Sequence, residues 1–173
     1  NEVHAGVGLA HGGLYYPEGG WVHPPALCQA QATNPNIKLL SHQEAVELRR
    51  VDDQWQAFDG DHLLASAPVV VLAGAAEIKR FTYSRELPLK RIRGQITRLP
   101  QTPASQSLST VVCAEGYVAP ARLGEHTLGA SFDFNNDDLT PTTAEHLGNL
   151  QMLEEISLDL VARLGAQALQ VDE

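Results

Sequence analysis

The chain is organised around residues 12–27, Gly12-Gly13-Leu14-Tyr15-Tyr16-Pro17-Glu18-Gly19-Gly20-Trp21-Val22-His23-Pro24-Pro25-Ala26-Leu27. The apolar and aromatic residues 14–16 predict a short strand that runs into Pro17. The glycine pair 19–20 permits a positive φ or a close approach of the backbone, and the proline pair 24–25 suits the first turn of a helix. The stretch therefore predicts a strand, a glycine corner and a helix, although a plain tight connection explains the same residues equally well.

Composition sets limits on the fold and its partners. The chain has 173 residues, 43% of them hydrophobic, which is enough for one domain, or one domain and part of another. No apolar run approaches the roughly 20 residues of a membrane span, so we expect no membrane partner, and two widely separated cysteines favour the cytoplasm. The formal charge of −9 argues against general electrostatic binding to nucleic acid.

The first residues contain an incomplete glycine motif. Gly6-Val7-Gly8-Leu9-Ala10-His11 has histidine where a dinucleotide-binding loop needs its third glycine, and no strand precedes it. We therefore expect the main phosphate-binding motif to be absent. Because the chain starts inside a glycine-rich approach, we expect it to be a piece of a longer protein.

The first half of the chain predicts an antiparallel meander followed by a buried strand. Asp59-Gly60 is a strong turn signal, and strands are predicted at 37–40, 44–51, 55–58 and 63–66. The run Val69-Val70-Val71-Leu72-Ala73 is typical of a strand buried on both faces. It ends at the small residues Gly74-Ala75-Ala76.

The second half predicts a second antiparallel sheet and a long helix. Strands are expected at 87–99, 111–113, 117–119 and 127–132, with a hairpin turn at Glu115-Gly116. Thr142 and Glu145 form a capping box. An apolar stripe follows at helical spacing: Leu147, Leu150, Leu153, Ile156, Leu160 and Leu164. The fold class is thus α+β, an antiparallel sheet with flanking helices.

One predicted strand carries a row of polar side chains. Arg91, Arg93 and Gln95 alternate and should share one face, although an exposed strand face explains two of the three equally well. The acidic segment 133–137 resembles the start of an EF-hand loop, but Asp138 stands where glycine is required. We therefore expect no metal site there.

Four motifs, in one order, carry a family resemblance. They are Gly12 to Pro25 as quoted above, Leu87-Pro88-Leu89 with Arg93-Gly94-Gln95, Cys113-Ala114-Glu115-Gly116-Tyr117-Val118-Ala119-Pro120, and Leu128-Gly129-Ala130-Ser131-Phe132. Together they resemble the FAD-dependent oxidoreductase half of bacterial tRNA wobble-uridine modification proteins. That half belongs to the D-amino-acid oxidase-like superfamily, with glycine oxidase and sarcosine oxidase.

The resemblance implies an architecture. Residues 1–173 would be one fragment from the middle of an FAD-dependent oxidoreductase domain. Segment 37–78 would contribute partly to the strands of the FAD domain, 79–140 would form the antiparallel sheet of the substrate domain, and 141–166 a helix. Such a fragment is expected to be inactive alone.

The resemblance also implies a reaction and its partners. The intact protein would use FAD to oxidise the carboxymethylaminomethyl group of a tRNA wobble uridine, leaving aminomethyluridine. A separate methyltransferase half, of which this chain contains no part, would then methylate the product with S-adenosylmethionine.

Site residues follow from the same resemblance. Ala45, Val46, Ala73 and Gly74 would lie near FAD. Arg93 would hold the substrate carboxylate, with Gln95 and Tyr117 as orienting groups. Arg122 is a weaker candidate, because Ala121 stands where glycine-oxidising relatives have their arginine and a shift of one residue reverses a strand side chain. No catalytic base is predicted.

Two other classes of function stay open. The chain could be an RNA-binding module in which Tyr15, Tyr16 and Trp21 stack on unpaired bases. It could also be a protein-interaction domain whose exposed sheet contacts a partner.

Overall fold

The computed structural model describes residues 1–165, which fall into two units. The core unit comprises residues 1–23 together with 92 onward, and the meander unit comprises residues 24–91. The helices are α1 (Glu2–Ala5), α2 (Pro24–Ala32), α3 (Thr143–Ile156) and α4 (Leu158–Leu164). The strands are β1 (Glu47–Val51), β2 (Gln54–Asp59), β3 (His62–Ala67), β4 (Ile96–Pro100), β5 (Val112–Cys113), β6 (Tyr117–Val118) and β7 (Glu125–Gly129). Two antiparallel sheets with helices confirm the α+β class.

The meander unit contains the predicted hairpins. β1, β2 and β3 pair antiparallel in sequence order. Gly60 has a φ of 57° in the turn between β2 and β3, a conformation that glycine adopts without steric cost. Trp55 contacts Tyr83 edge to face, with ring centroids 4.7 Å apart. Helix α2 begins at Pro24, in the proline pair predicted to form the first turn of a helix.

Three predicted strands are wrong within the described residues. Segments 14–16, 37–40 and 69–73 have no strand pairing, and the valine run is exposed rather than buried. An apolar run becomes a strand only when a neighbouring strand satisfies its backbone groups, and none of the strands in residues 1–165 pairs with 69–73.

The core unit is built on a four-stranded sheet in the order β4-β7-β6-β5. The predicted strand 87–99 is confined to Ile96–Pro100, because only there does the chain pair continuously with β7. Upstream, Arg93 makes a single bridge with Asp133. The predicted hairpin at Glu115-Gly116 is confirmed by the pairing of β5 with β6.

Two helices, rather than one, supply the apolar stripe. Leu153, Ile156, Leu160 and Leu164 are buried in the core, whereas Leu147 is exposed. Ser157 separates α3 from α4; its side chain accepts a hydrogen bond from the Leu160 N–H at 2.9 Å and so caps α4. The last residue of the predicted helix 141–166 lies outside the described residues. None of the helices in residues 1–165 has the length and apolarity to cross a membrane.

The first turn of α3 is fixed by the predicted capping box. The Thr142 side chain accepts a hydrogen bond from the Glu145 N–H at 3.3 Å and donates one to the Glu145 carboxylate at 2.8 Å. Ser131 donates a further hydrogen bond to that carboxylate at 2.7 Å. Donors from Ser131, Arg93 and Thr142 stabilise the charged form, so the pKa of Glu145 is lowered from its usual value.

This depressed pKa predicts an acid-dependent loss of stability. The charged Glu145 stabilises the folded state above its unfolded pKa of about 4.3, and that contribution disappears as pH falls through the lower folded value. We expect the free energy of unfolding to fall less steeply below about pH 4.3 in Glu145→Gln than in the unmodified protein. Urea titrations between about pH 3 and pH 6 measure the two slopes, and parallel curves would show that Glu145 does not titrate with folding.

Substitution of alanine for two glycines of the core unit should have opposite effects on stability. A Cβ on Gly148 in α3 would meet nothing within 4 Å, whereas one on Gly116 would lie 2.8 Å from the Gly129 carbonyl oxygen and 3.0 Å from Met152 Sδ. Gly148→Ala should raise the free energy of unfolding by about 0.5–1 kcal/mol, since alanine favours helices. Gly116→Ala should lower it by about 1–3 kcal/mol through overpacking. Chemical denaturation tests both, and equal effects would contradict the packing at Gly116.

Candidate functional site

One face of the strand segment 93–99 packs against the core. Arg93, Gln95, Thr97 and Leu99 are buried, and the residues between them are exposed. The prediction that Arg93 and Gln95 share a face is confirmed by a hydrogen bond of 3.2 Å between their side chains. Arg91 does not continue this row, because it belongs to the meander unit, where it forms an ion pair with Glu77.

The Arg93 guanidinium is fully engaged inside the core unit. Its Nη2 donates to the Thr140 carbonyl oxygen at 2.7 Å as well as to Gln95. Nη1 donates to the Glu145 carboxylate, and Nε to the Asp138 carbonyl oxygen. Its side chain is 4% exposed. All three nitrogens therefore have protein acceptors, and the cation joins a strand, a loop and the start of α3.

Both polar atoms of the Gln95 side chain are also hydrogen-bonded inside the core unit. Its Nε2 donates to the Thr142 carbonyl oxygen and its Oε1 accepts from the Thr142 N–H, both at 2.9 Å. Asn149 of α3 donates to the Gln95 carbonyl oxygen at 3.0 Å and to Thr97 Oγ1 at 3.1 Å. These bonds form a polar layer between the sheet and the helix.

Sequence reasoning missed Asn149, although a signal was present. Asn149 lies four residues after Glu145 and four before Leu153, so the three share one side of α3. Because Leu153 on this side of α3 is a core residue, a polar residue one turn before it indicates a buried hydrogen bond. The Asn149 Oδ1 atom itself is buried without a hydrogen-bond partner among the described residues.

Tyr117 and Arg122 lie on the other face of the sheet. Tyr117 is opposite Gly129, which is opposite Ile96, a residue that points away from the core. Arg122 pairs with Glu125 in the turn before β7 and is exposed. Its guanidinium has no hydrogen bond or ion pair within residues 1–165. The structure therefore brings Arg93 and Gln95 together, whereas Tyr117 and Arg122 lie on the opposite face, where their partners on β7, Gly129 and Glu125, are four residues apart.

The residues predicted to lie near FAD belong to the meander unit. Ala45 is half-buried and Val46 is exposed, but the Val46 N–H already donates to the Phe58 carbonyl oxygen at 2.9 Å. Ala73 and Gly74 are exposed just before the 3₁₀ helix Ala75–Arg80. A Cβ on Gly74 would make only ordinary contact, 3.4 Å from Ile78 Cγ2. The open, small-residue end at 73–74 thus fits the close approach of a cofactor better than the Val46 N–H does.

A buried serine and histidine form a separate pair in the core unit. His126 Nδ1 donates to the Ala119 carbonyl oxygen at 2.9 Å, and its Nε2 is hydrogen-bonded to Ser105 Oγ at 2.9 Å. Both residues are fully buried, which makes this pair a structural bond rather than a nucleophile. No group of three or more His, Cys, Asp or Glu side chains within residues 1–165 could hold a metal ion.

Comparison with known proteins identifies the family. The family described as DAO, FAD dependent oxidoreductase, matches residues 2–167. Relatives named tRNA 5-methylaminomethyl-2-thiouridine biosynthesis bifunctional protein MnmC occur in two strains of Pseudomonas fluorescens. The protein of strain Pf0-1 is 82% identical over 163 residues, 94% of this chain and 25% of the relative. That of strain Pf-5 is 75% identical over 171 residues, 99% of this chain and 26% of the relative.

A third relative of the same name, from Pseudomonas entomophila, is 70% identical over 172 residues. The chain spans about a quarter of the length of these relatives. The family match covers nearly all of the chain and agrees with the resemblance carried by the four motifs. The chain therefore belongs to the DAO family of FAD-dependent oxidoreductases.

Proposed function

We propose that the protein containing this chain oxidises the carboxymethylaminomethyl group on a wobble uridine of tRNA. The observation that carries the proposal is the 82% identity to a bifunctional tRNA 5-methylaminomethyl-2-thiouridine biosynthesis protein, joined to the FAD-dependent oxidoreductase family match. Bound FAD would supply the hydride acceptor for oxidation of the C–N bond. This proposal includes a methyltransferase half on the same polypeptide and action on tRNA in the cytoplasm.

The chain's part in cofactor binding is proposed to lie at Ala73 and Gly74. Both are exposed and small, and the neighbours of Gly74 do not explain why a side chain is missing there. Ala45 and Val46 would contribute backbone contacts other than the Val46 N–H, which Phe58 occupies. We propose that the principal phosphate-binding loop lies outside this chain, because the segment 6–11 lacks its third glycine.

The substrate side is proposed to use the open face of the core-unit sheet. A glycine-like carboxylate needs a cation with free donors, and arginine can provide two parallel hydrogen bonds. Arg122 has a guanidinium with no partner in the described chain, and Tyr117 lies on the same face. Arg93 remains a predicted anchor, but four internal acceptors compete for its donors. The contacts therefore favour Arg122 for the carboxylate, with Arg93 and Gln95 supporting the fold around it.

One observation favours a second role for this chain, which is contact with RNA. Tyr15, Tyr16 and Trp21 are all exposed, and exposed aromatic rings can stack on unpaired bases. Tyr15 already stacks on His4, with ring centroids 4.1 Å apart. A tRNA substrate would provide such bases beside the modified uridine.

We expect Arg122→Ala and Arg93→Ala to affect different quantities in the intact enzyme. A hydrogen bond to a charged group contributes about 1.5–3 kcal/mol, so Arg122→Ala should lower kcat/KM for a carboxylate-bearing amine by roughly tenfold or more. An amine without the carboxyl group should lose far less. Arg93→Ala should mainly lower the thermal unfolding temperature, because it leaves Glu145 without its cation.

The two substrates make this comparison decisive. If Arg93→Ala selectively impairs the carboxylate substrate and Arg122→Ala does not, Arg93 is the anchor and the internal contacts do not prevent its role. If both variants lower activity on both substrates equally, neither arginine binds the carboxylate.

Flavin content tests the cofactor assignment. Gly74→Val places a branched side chain where the cofactor would approach, so the purified intact enzyme should lose most of its flavin absorbance. Ala65→Val is the matched control, because it makes a small residue branched on the exposed strand β3. Full flavin content in Gly74→Val, or equal loss in both variants, would reject the assignment.

A further inference from the structure

The segment after β7 displays large apolar side chains. Residues 132–139, here named the apolar loop, include Phe132, Phe134 and Leu139, which are 70%, 50% and 83% exposed. Exposed apolar residues scattered singly are ordinary, but three large ones within eight residues are characteristic of a contact surface.

The apolar loop is held in one conformation by many hydrogen bonds. Side-chain oxygens of Asp133, Asn136 and Asp138 each accept from a backbone N–H two residues later, at 2.9 Å. Asp133 also exchanges two backbone hydrogen bonds with Arg93, at 2.8 and 2.9 Å.

Arg93 fixes the far end of the loop from inside the core unit. Its guanidinium donates to the carbonyl oxygens of Asp138 and Thr140, and Glu145 balances its charge. A loop fixed in this way loses little conformational entropy when it meets a partner, which favours binding. The buried arginine is thus the group that positions the exposed apolar surface.

We infer that the apolar loop is a contact surface for another part of the same polypeptide, outside residues 1–173. The chain spans about a quarter of the length of its relatives, so in a protein of that size most of the polypeptide would be tethered close to the loop at high effective concentration.

The negative charge of the apolar loop limits the kind of surface that can bind to it. Asp133 and Asp138 border the apolar side chains, and carboxylates repel the phosphate backbone of RNA. They complement a protein surface that is apolar at its centre and bordered by Lys or Arg.

Cysteine labelling of the full-length protein tests this contact without any readout of flavin or tRNA. Leu139→Cys should react with a maleimide at least about tenfold more slowly in the native protein than in urea, where the intrinsic rate is measured. Adding Phe132→Asp to this variant should restore much of the native rate, because a charge disrupts the apolar contact. Val3→Cys, at a site 91% exposed in α1, should not respond to Phe132→Asp.

Several results would overturn the inference. A native rate for Leu139→Cys within about twofold of the intrinsic rate would mean that nothing covers the loop. Protection that disappears on hundredfold dilution would identify a second copy of the protein, and protection that requires added tRNA would identify RNA. Protection that Phe132→Asp leaves unchanged would show that the apolar side chains do not make the contact.

Discussion

The ion pair between the buried Arg93 and the partly exposed Glu145 is the interaction on which the core unit depends. A guanidinium placed inside a protein is costly unless its charge is paired and its donors are satisfied. Here the carboxylate supplies the opposite charge, and Gln95, Asp138 and Thr140 accept the other donors. The same carboxylate accepts from Ser131, two residues after β7, and from Thr142, the N-cap of α3. One cation therefore fixes a strand, a loop and a helix in a single arrangement.

That arrangement decides which side chains of the sheet face α3 and which point away from it. Side chains alternate along a strand, so turning Arg93 and Gln95 toward α3 turns their neighbours Gly94 and Ile96 away from it. Tyr117 and Arg122 then lie on the open face, where α3 does not cover the sheet. The Arg93 donors have acceptors inside the core unit, whereas the Arg122 guanidinium has no partner within residues 1–165. Residue type alone does not indicate which of the two arginines is hydrogen-bonded inside the fold.

Local signals predicted the elements that need no distant partner. The turn at Asp59-Gly60 and the capping box of Thr142 and Glu145 are specified within a few residues, and both form as expected. Features that depend on distant contacts were not predictable. Ser157 ends α3 because its hydroxyl donates to the Gly8 carbonyl oxygen, 149 residues away in sequence, while it also caps α4. The run 69–73 has a strand composition, but a strand needs a partner that the sequence of this run does not specify.

Three glycines differ in the physical reason for their missing side chain. Missing side chains at Gly94, Gly116 and Gly74 could each allow a ligand to approach. At Gly94 a Cβ would lie 3.1 Å from the Ser131 carbonyl oxygen, and at Gly116 it would lie 2.8 Å from that of Gly129, so internal packing accounts for both glycines. At Gly74 the nearest atom is a methyl group at 3.4 Å, an ordinary contact. Neither crowding nor a positive φ requires glycine at this position, where Gly74 is the N-cap of the 3₁₀ helix Ala75–Arg80.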